Sequence, residues 1–327
     1  MPDSRAPPAP TRLLAVPGPI AALFNRVPLA VYPPNDLPLR SPSSETHRDT
    51  PILYVFTTPD GARTGAPSFN PSCLKWQTVL KIARLPFSTA PSTNHASPTG
   101  ALPFLLPPPS AIPSNNLPIP SGDTLFNHVL AHAPSPVPRS LAEPLSTRQE
   151  AYLSLLDARL RPAFLYSLYL TPANTPVLSA LYVDPTSSAF FVRATLLRQV
   201  RHAAESEILK TTRRGFLDVE ALYADAQSAF AALETLLLQG ISASKTDADE
   251  TKTGGPTSAP FFSSSDDDDD DDEEEAGLFD AEVFAYTNII LDQALCWNDT
   301  RLADLLRRFP GLVAHRERML ATYFGVA

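Results

Sequence analysis

Nucleophilic chemistry in this chain would fall to Ser68, Ser72 and Cys73, which stand at the start of an apolar helical stretch running from Pro71 to about Arg84. A helix N-terminus favours negative charge, so a thiol or hydroxyl placed there can have its deprotonated form stabilised. Residue 76 is Trp, so Cys73 has no resolving thiol in a C-x-x-C arrangement. Free cysteine is among the most buried residue types, and Cys73 is expected to be packed and inert. Ser121-Gly122-Asp123 offers a carboxylate that could hold an ammonium group. Asp123 also stands where a helix begins, and its expected role is that of a structural N-cap. His128 and His132 have the i, i+4 spacing that lets two imidazoles reach one metal. Their segment reads HVLAH, with neither a Glu between them nor an evident third ligand, so no metal centre is expected. Asn94-His95 precedes the pair Leu102-Pro103, and these side chains are expected to bond loop carbonyls and fix the path of the chain.

Short elements must position these groups. Of 36 prolines, 29 fall in residues 1–145, which excludes long helices there and permits them beyond. Ile52 to Thr57 (ILYVFT) is a buried strand by its β-branched and aromatic content. A Gly- and Pro-rich connection covers 58–70. In the helix that follows, Leu74, Val79, Leu80, Ile82 and Ala83 mark the apolar side, while Lys75, Gln77 and Lys81 are expected to stay wet. Pro86 stops that helix, and Phe87 to Ala90 and Leu102 to Leu106 give two more strands. A fourth includes Ile119, and a helix runs from Asp123 to about His132. Beyond residue 145 the patterns are helical. They cover Thr147 to Leu170 with a break or kink at Pro162, a helix capped by Ser187 or Ser188 reaching Thr212, Phe216 to Gln239, Leu278 to Leu295, Thr300 to Phe309 and Pro310 to Tyr323.

The order βαβ then ββα, with a Leu-Pro pair at the mouth of a strand, is that of a thioredoxin-like domain, in which this X-Pro bond is often cis. The expected fold class is α/β plus all-α and glutathione-transferase-like: an N-terminal thioredoxin-like domain followed by a C-terminal helical domain. Its parts are a Pro-rich arm (1–50), the thioredoxin-like domain (51–133), a linker (134–145) and the helical domain (146–327), interrupted by an insertion at 241–277.

The net charge of −9 is concentrated in that insertion, since residues 266–275 contribute −10 and leave +1 for everything else. A Ser-, Thr-, Asp- and Gly-rich tract buries too little apolar area to offset its ordering entropy, so it is expected to be a solvated, disordered spacer. The near-neutral remainder carries no basic stripe, and no nucleic-acid partner is expected. No run of about 18 apolar residues exists, so no spanning helix is expected. The start of the chain is Pro-broken and reads as a flexible arm rather than a secretory signal. Two distant cysteines suit a reducing compartment.

Glutathione chemistry needs an activated group before the first long helix and an acid-Ser pair after the last strand. The candidates above each have a simpler structural role. A cytosolic glutathione-dependent transferase or peroxidase therefore stands as the alternative to a binding module.

The stretch NHASPTGALPFLLP, with CLKWQ ahead of it and FDAEVFAYTNIIL and LADLLRRFPGLVAHRERM near the end, resembles the metaxin family. Within the family it looks most like the smaller metaxin-like subunits of the fungal mitochondrial sorting and assembly machinery (SAM complex). The matching stretches cover about 70–133 and 278–324. The resemblance implies a transferase-like fold without enzymatic activity or cofactor, with no glutathione expected. It also implies a peripheral position on the cytosolic face of the mitochondrial outer membrane. The implied partners are an integral β-barrel insertase, a second metaxin-like subunit and β-barrel precursor proteins bearing a C-terminal β-signal. Asn94, His95 and Pro103 then stand as candidate precursor or partner contacts. One departure is Gly277, where transferases place Ser or Thr three residues before an Asp such as Asp280. Attachment to the membrane is expected through docking on an integral partner rather than through the apolar segment 19–32.

Overall fold

Ile52–Val55 forms β1, and its side chains Leu53, Tyr54 and Val55 are all buried, so both faces of this strand are covered. The computed structural model describes residues 50–108, 117–246, 260–261 and 276–325, all within one compact unit, Thr46–Ala327. Residues 1–49 of the expected arm (1–50) and the acidic run at 266–275 lie outside the described residues.

β1 pairs in parallel with β2 (Ser88–Pro91) and antiparallel with β3 (Phe104–Leu106), which pairs antiparallel with β4 (Ile119–Pro120). The sheet order is β2-β1-β3-β4. The Tyr54 and Phe104 rings, directly opposite in register, stack at 4.5 Å and 8°, a cross-strand pairing that helps hold β3 to β1. The Leu102-Pro103 bond before β3 is cis, and so is Ser135-Pro136.

The connection after β1 is not all loop. It contains α1 (Pro59–Thr64), where Thr58 Oγ1 accepts from Gly61 N at 3.0 Å, Pro59 fills the first helical position and Gly65 closes the end at φ 69°. Composition hid this helix, because Pro and Gly stand where a helix tolerates them.

α2 (Pro71–Ile82) is capped by Asn70, whose Oδ1 accepts from Cys73 N at 3.2 Å. The expectation that Gln77 stays wet is overturned, since Gln77 is fully buried. α2 packs against α10 (Leu278–Leu291) on one side, while the loop at 66–68 covers Gln77 on another, so the face that periodicity marks as polar is covered too. Lys75 answers that cover by pairing with Glu282 of α10.

The sheet domain closes with α3 (Asp123–His132), and α4 (Arg139–Ala142) leads onward. α5 (Thr147–Leu155) begins at a reciprocal Ser146–Gln149 capping box and continues through α6 (Arg161–Leu165). Wider π-helical turns at Leu156–Leu160 and Tyr166–Leu170 flank α6. Pro162 removes a backbone donor, and the helix widens on both sides of it instead of breaking. α7 (Thr175–Leu178) is followed by α8 (Phe190–Thr212), whose N-cap is Ala189 rather than Ser187 or Ser188; Ser187 Oγ accepts from Ala189 N at 3.1 Å. α9 (Val219–Thr246) runs past residue 241, where the insertion was expected to begin, and Pro260, Phe261 and Ala276 within that segment are buried. α11 (Arg301–Leu306) and α12 (Pro310–Phe324) complete the helical part.

Two carboxylates hold the helical part. Glu234 of α9 accepts from Gly311 N and Leu312 N, both at 2.9 Å, supplying a remote carboxylate cap to α12. Asp280 accepts from Gly277 N at 3.0 Å, so half of a capping box persists without a hydroxyl at residue 277. A Cβ at Gly277 would lie 3.0 Å from the Ser140 carbonyl oxygen, which accounts for the glycine there.

Candidate functional site

The candidate thiol and hydroxyl groups gather at the start of α2. Cys73 is wholly buried, and burial pushes its thiol up to about 12, outweighing the opposite influence of the Phe56 backbone and the Ser68 side chain. Desolvation therefore outweighs the helix N-terminus, and the thiol stays protonated at neutral pH. Ser68 is also buried. Its hydroxyl donates to the Phe56 carbonyl at 2.6 Å, and its amide donates to Gln77 Oε1 at 2.9 Å. Gln77 Nε2 then donates to the Ala66 carbonyl at 2.8 Å. Ser68 and Gln77 are a backbone clamp for the loop entering α2. Ser72 alone of the three candidates is exposed, in the first turn of α2.

An aromatic cluster stands beside this loop. Tyr182 packs edge-on to Phe56 at 4.9 Å and to Phe69 at 5.5 Å, and against Tyr169 at 5.9 Å. Its hydroxyl donates to the Phe69 carbonyl and accepts from Asn70 Nδ2, each at 3.3 Å. The N-cap of α2 is thus tied to the helical part of the chain. Burial raises the phenol of Tyr182 well above its ordinary range and that of Tyr169 to about 12, so both remain protonated. No sequence signal marked this cluster, because its members are spread from residue 56 to residue 182.

Asn94 and Pro103 come together around the cis bond. Asn94 Oδ1 accepts from Leu102 N at 3.0 Å, and the Pro103 carbonyl accepts from Ser121 N at 3.3 Å. Pro103 is buried, whereas His95, in the 3-10 turn Asn94–Ala96, is exposed. Asn94 bonds a loop amide where carbonyls were expected. Asp123 is not the N-cap. Gly122 takes that position with φ 112°, a backbone conformation open to glycine, and Asp123 lies in the first turn. There its charge favours the positive end of the helix. The His128 and His132 rings stack at 4.0 Å, with His132 Nδ1 bonded to the His128 carbonyl at 2.9 Å.

The sheet edges set what backbone pairing can do. Ser88 N and Ser92 N donate inward to Pro51 and Val55, so the alternate amide of Thr89 faces outward, and Pro91 has none to offer. β4 has two residues, one of them Pro120. These are poor templates for adding a strand.

Residues 71–174 match the glutathione S-transferase N-terminal domain family. A glutathione S-transferase of Ceriporiopsis subvermispora, solved in complex with glutathione, has a TM-score of 0.50 at 12% identity, covering 86% of this chain and 100% of that one. The fold is glutathione-transferase-like. Other glutathione-transferase-like neighbours include a glutathione transferase of Phanerochaete chrysosporium, with TM-score 0.44 and 13% identity over 81% of this chain and 98% of that one. The β-etherase of Sphingobium sp. strain SYK-6 has TM-score 0.44 and 14% identity over 83% and 95% respectively. No curated protein matches the chain. Among the described residues, no helix of this glutathione-transferase-like chain is long and apolar enough to cross a membrane.

Proposed function

We propose that this chain is a non-enzymatic subunit of the mitochondrial outer-membrane sorting and assembly machinery, working from the cytosolic face as the metaxin resemblance implies. In this reading it assists an integral β-barrel insertase, beside a second metaxin-like subunit, in receiving β-barrel precursors. The observation that carries it is the fate of the nucleophile position. Cys73 is buried and protonated, and Ser68 is spent on the Phe56 carbonyl. A fold kept while its thiol is enclosed serves as a scaffold for binding.

Precursor recognition by strand addition has little to work with, given the single outward amide at Thr89 in β2. Side-chain contacts near the exposed His95 are the better route for an extended β-signal. Photocrosslinkers placed across 94–123 should capture a precursor's last strand, and silence at every position would remove this site.

The exposed Ser72 at the start of α2 keeps a glutathione-dependent transferase or peroxidase as the second reading. The two readings part on one pair of measurements. A scaffold subunit co-purifies with an outer-membrane β-barrel from detergent-solubilised mitochondria and passes through immobilised glutathione. An enzyme is retained on glutathione and leaves the barrel behind.

A further inference from the structure

The N-terminal end of α8 exposes apolar side chains that the fold does not use. Phe190 is 69% exposed, Phe191 81% and Val192 47%. The two rings meet only edge-on, 5.5 Å apart. Consecutive helical residues point about 100° apart, so these three side chains fan around the helix end. A protein groove covers one face of a helix; a fluid interface entered end-on covers all of them.

Within this end of α8 the charged side chains have one sign, and Asp184 outside the helix offsets Arg193. From Phe190 to Ala204 the helix carries Arg193, Arg198 and Arg201 and no acid. Arg193 pairs with Asp184 at 3.0 Å, and Arg201 is held by the Tyr169 carbonyl and Thr175 Oγ1, while Arg198 is exposed. No side chain caps the helix, and its first turn has no acid, so the partial positive charge of the end is uncompensated. Aromatic side chains beside arginines and an uncapped helix end match the boundary between acyl chains and anionic headgroups.

We propose that the Phe190-Phe191-Val192 tip of α8 is a lipid-surface contact that inserts at the headgroup level of an anionic phospholipid bilayer. This contact is weak and adds to partner docking rather than replacing it. It concerns the bare chain and vesicles, so its failure would leave the partner reading standing.

The test is flotation of the full chain with phosphatidylcholine vesicles, with and without phosphatidylinositol. The chain should float with the anionic vesicles and lose most of that binding at high salt. The double variant Phe190→Ser, Phe191→Ser should bind at least about tenfold more weakly, with an unchanged melting temperature because neither ring is packed. Arg198→Glu should reduce binding to anionic vesicles selectively. Phe216→Ser, four residues beyond the C-terminal end of α8 and 71% exposed in the native chain, should leave binding intact. Absence of flotation, equal binding by the double Ser variant, or an equal loss in Phe216→Ser would each overturn the proposal. So would a double Ser variant that loses co-purification with the barrel while binding vesicles normally.

Discussion

The carboxylate of Asp280 and the imidazole of His315 meet at 3.0 Å, 35 residues apart in sequence and both buried. The same carboxylate accepts from Phe261 N at 3.2 Å and Gly277 N at 3.0 Å, so it holds both feet of the acidic insertion. The Phe261 ring lies 4.8 Å from that of His315. Burial opposes ionisation of Asp280, but the hydrogen bonds from His315 and Gly277 N, with the Arg318 guanidinium 3.8 Å away, outweigh it and hold the carboxyl below its ordinary range. Burial in turn lowers His315, which therefore donates Nε2–H as a neutral ring. Removing the carboxylate in Asp280→Ala leaves several buried donors unpaired and should cost about 3–5 kcal/mol. Chemical denaturation of the variant measures this directly.

This pair also sets an acid response. His315 has a lowered pKa in the fold, so as pH falls below about 6.5 the unfolded chain takes up a proton that the folded one resists, and stability drops. Asp280, also lowered, adds a loss as pH falls below about 3.8 toward its folded value. Melting temperature should decline between pH 7 and 5 in the native chain and decline less in His315→Gln. Parallel slopes would show that this histidine does not drive the decline.

The two cysteines should differ sharply in reactivity. Cys296 is exposed, whereas Cys73 is buried with its thiol pushed up to about 12. Iodoacetamide at neutral pH should modify the native protein at Cys296 alone, and Cys73 only after denaturation. Mass spectrometry of the labelled peptides reads this, and preferential native labelling of Cys73 would restore thiol chemistry as a possibility.

Asn94→Ala should lose the hydrogen bond to Leu102 N and destabilise the chain by about 0.5–1.5 kcal/mol. Hydrogen exchange at Leu102 should rise with it. His95→Ala, one residue along and exposed, should change stability little while reporting on precursor crosslinking.

Gly277→Ala should cost about 1–3 kcal/mol, because the new Cβ meets the Ser140 carbonyl oxygen at 3.0 Å. Gly215→Ala is the control, since nothing lies within 4 Å of its Cβ position. A thermal shift in both variants alike would point to glycine's backbone freedom rather than to the Ser140 contact.

The sequence by itself determined the local pieces of this protein. The ILYV run made β1, Pro71 opened α2, and the Leu-Pro pair placed the cis bond before β3. Each depends on propensity or capping within a few residues, which is why each was legible. Only the tertiary structure decided which side chains are enclosed. Gln77 has the residue type and position of a wet face, yet the loop entering α2 folds over it and makes it a buried clamp on Ser68 and Ala66. Asp280 reaches His315, and Glu234 caps a helix 77 residues away, through elements that approach only once the chain is folded. The same holds at the start of α2. The pattern NPSC put Cys73 where a thiolate is favoured, and burial, which no local pattern encodes, kept it a thiol.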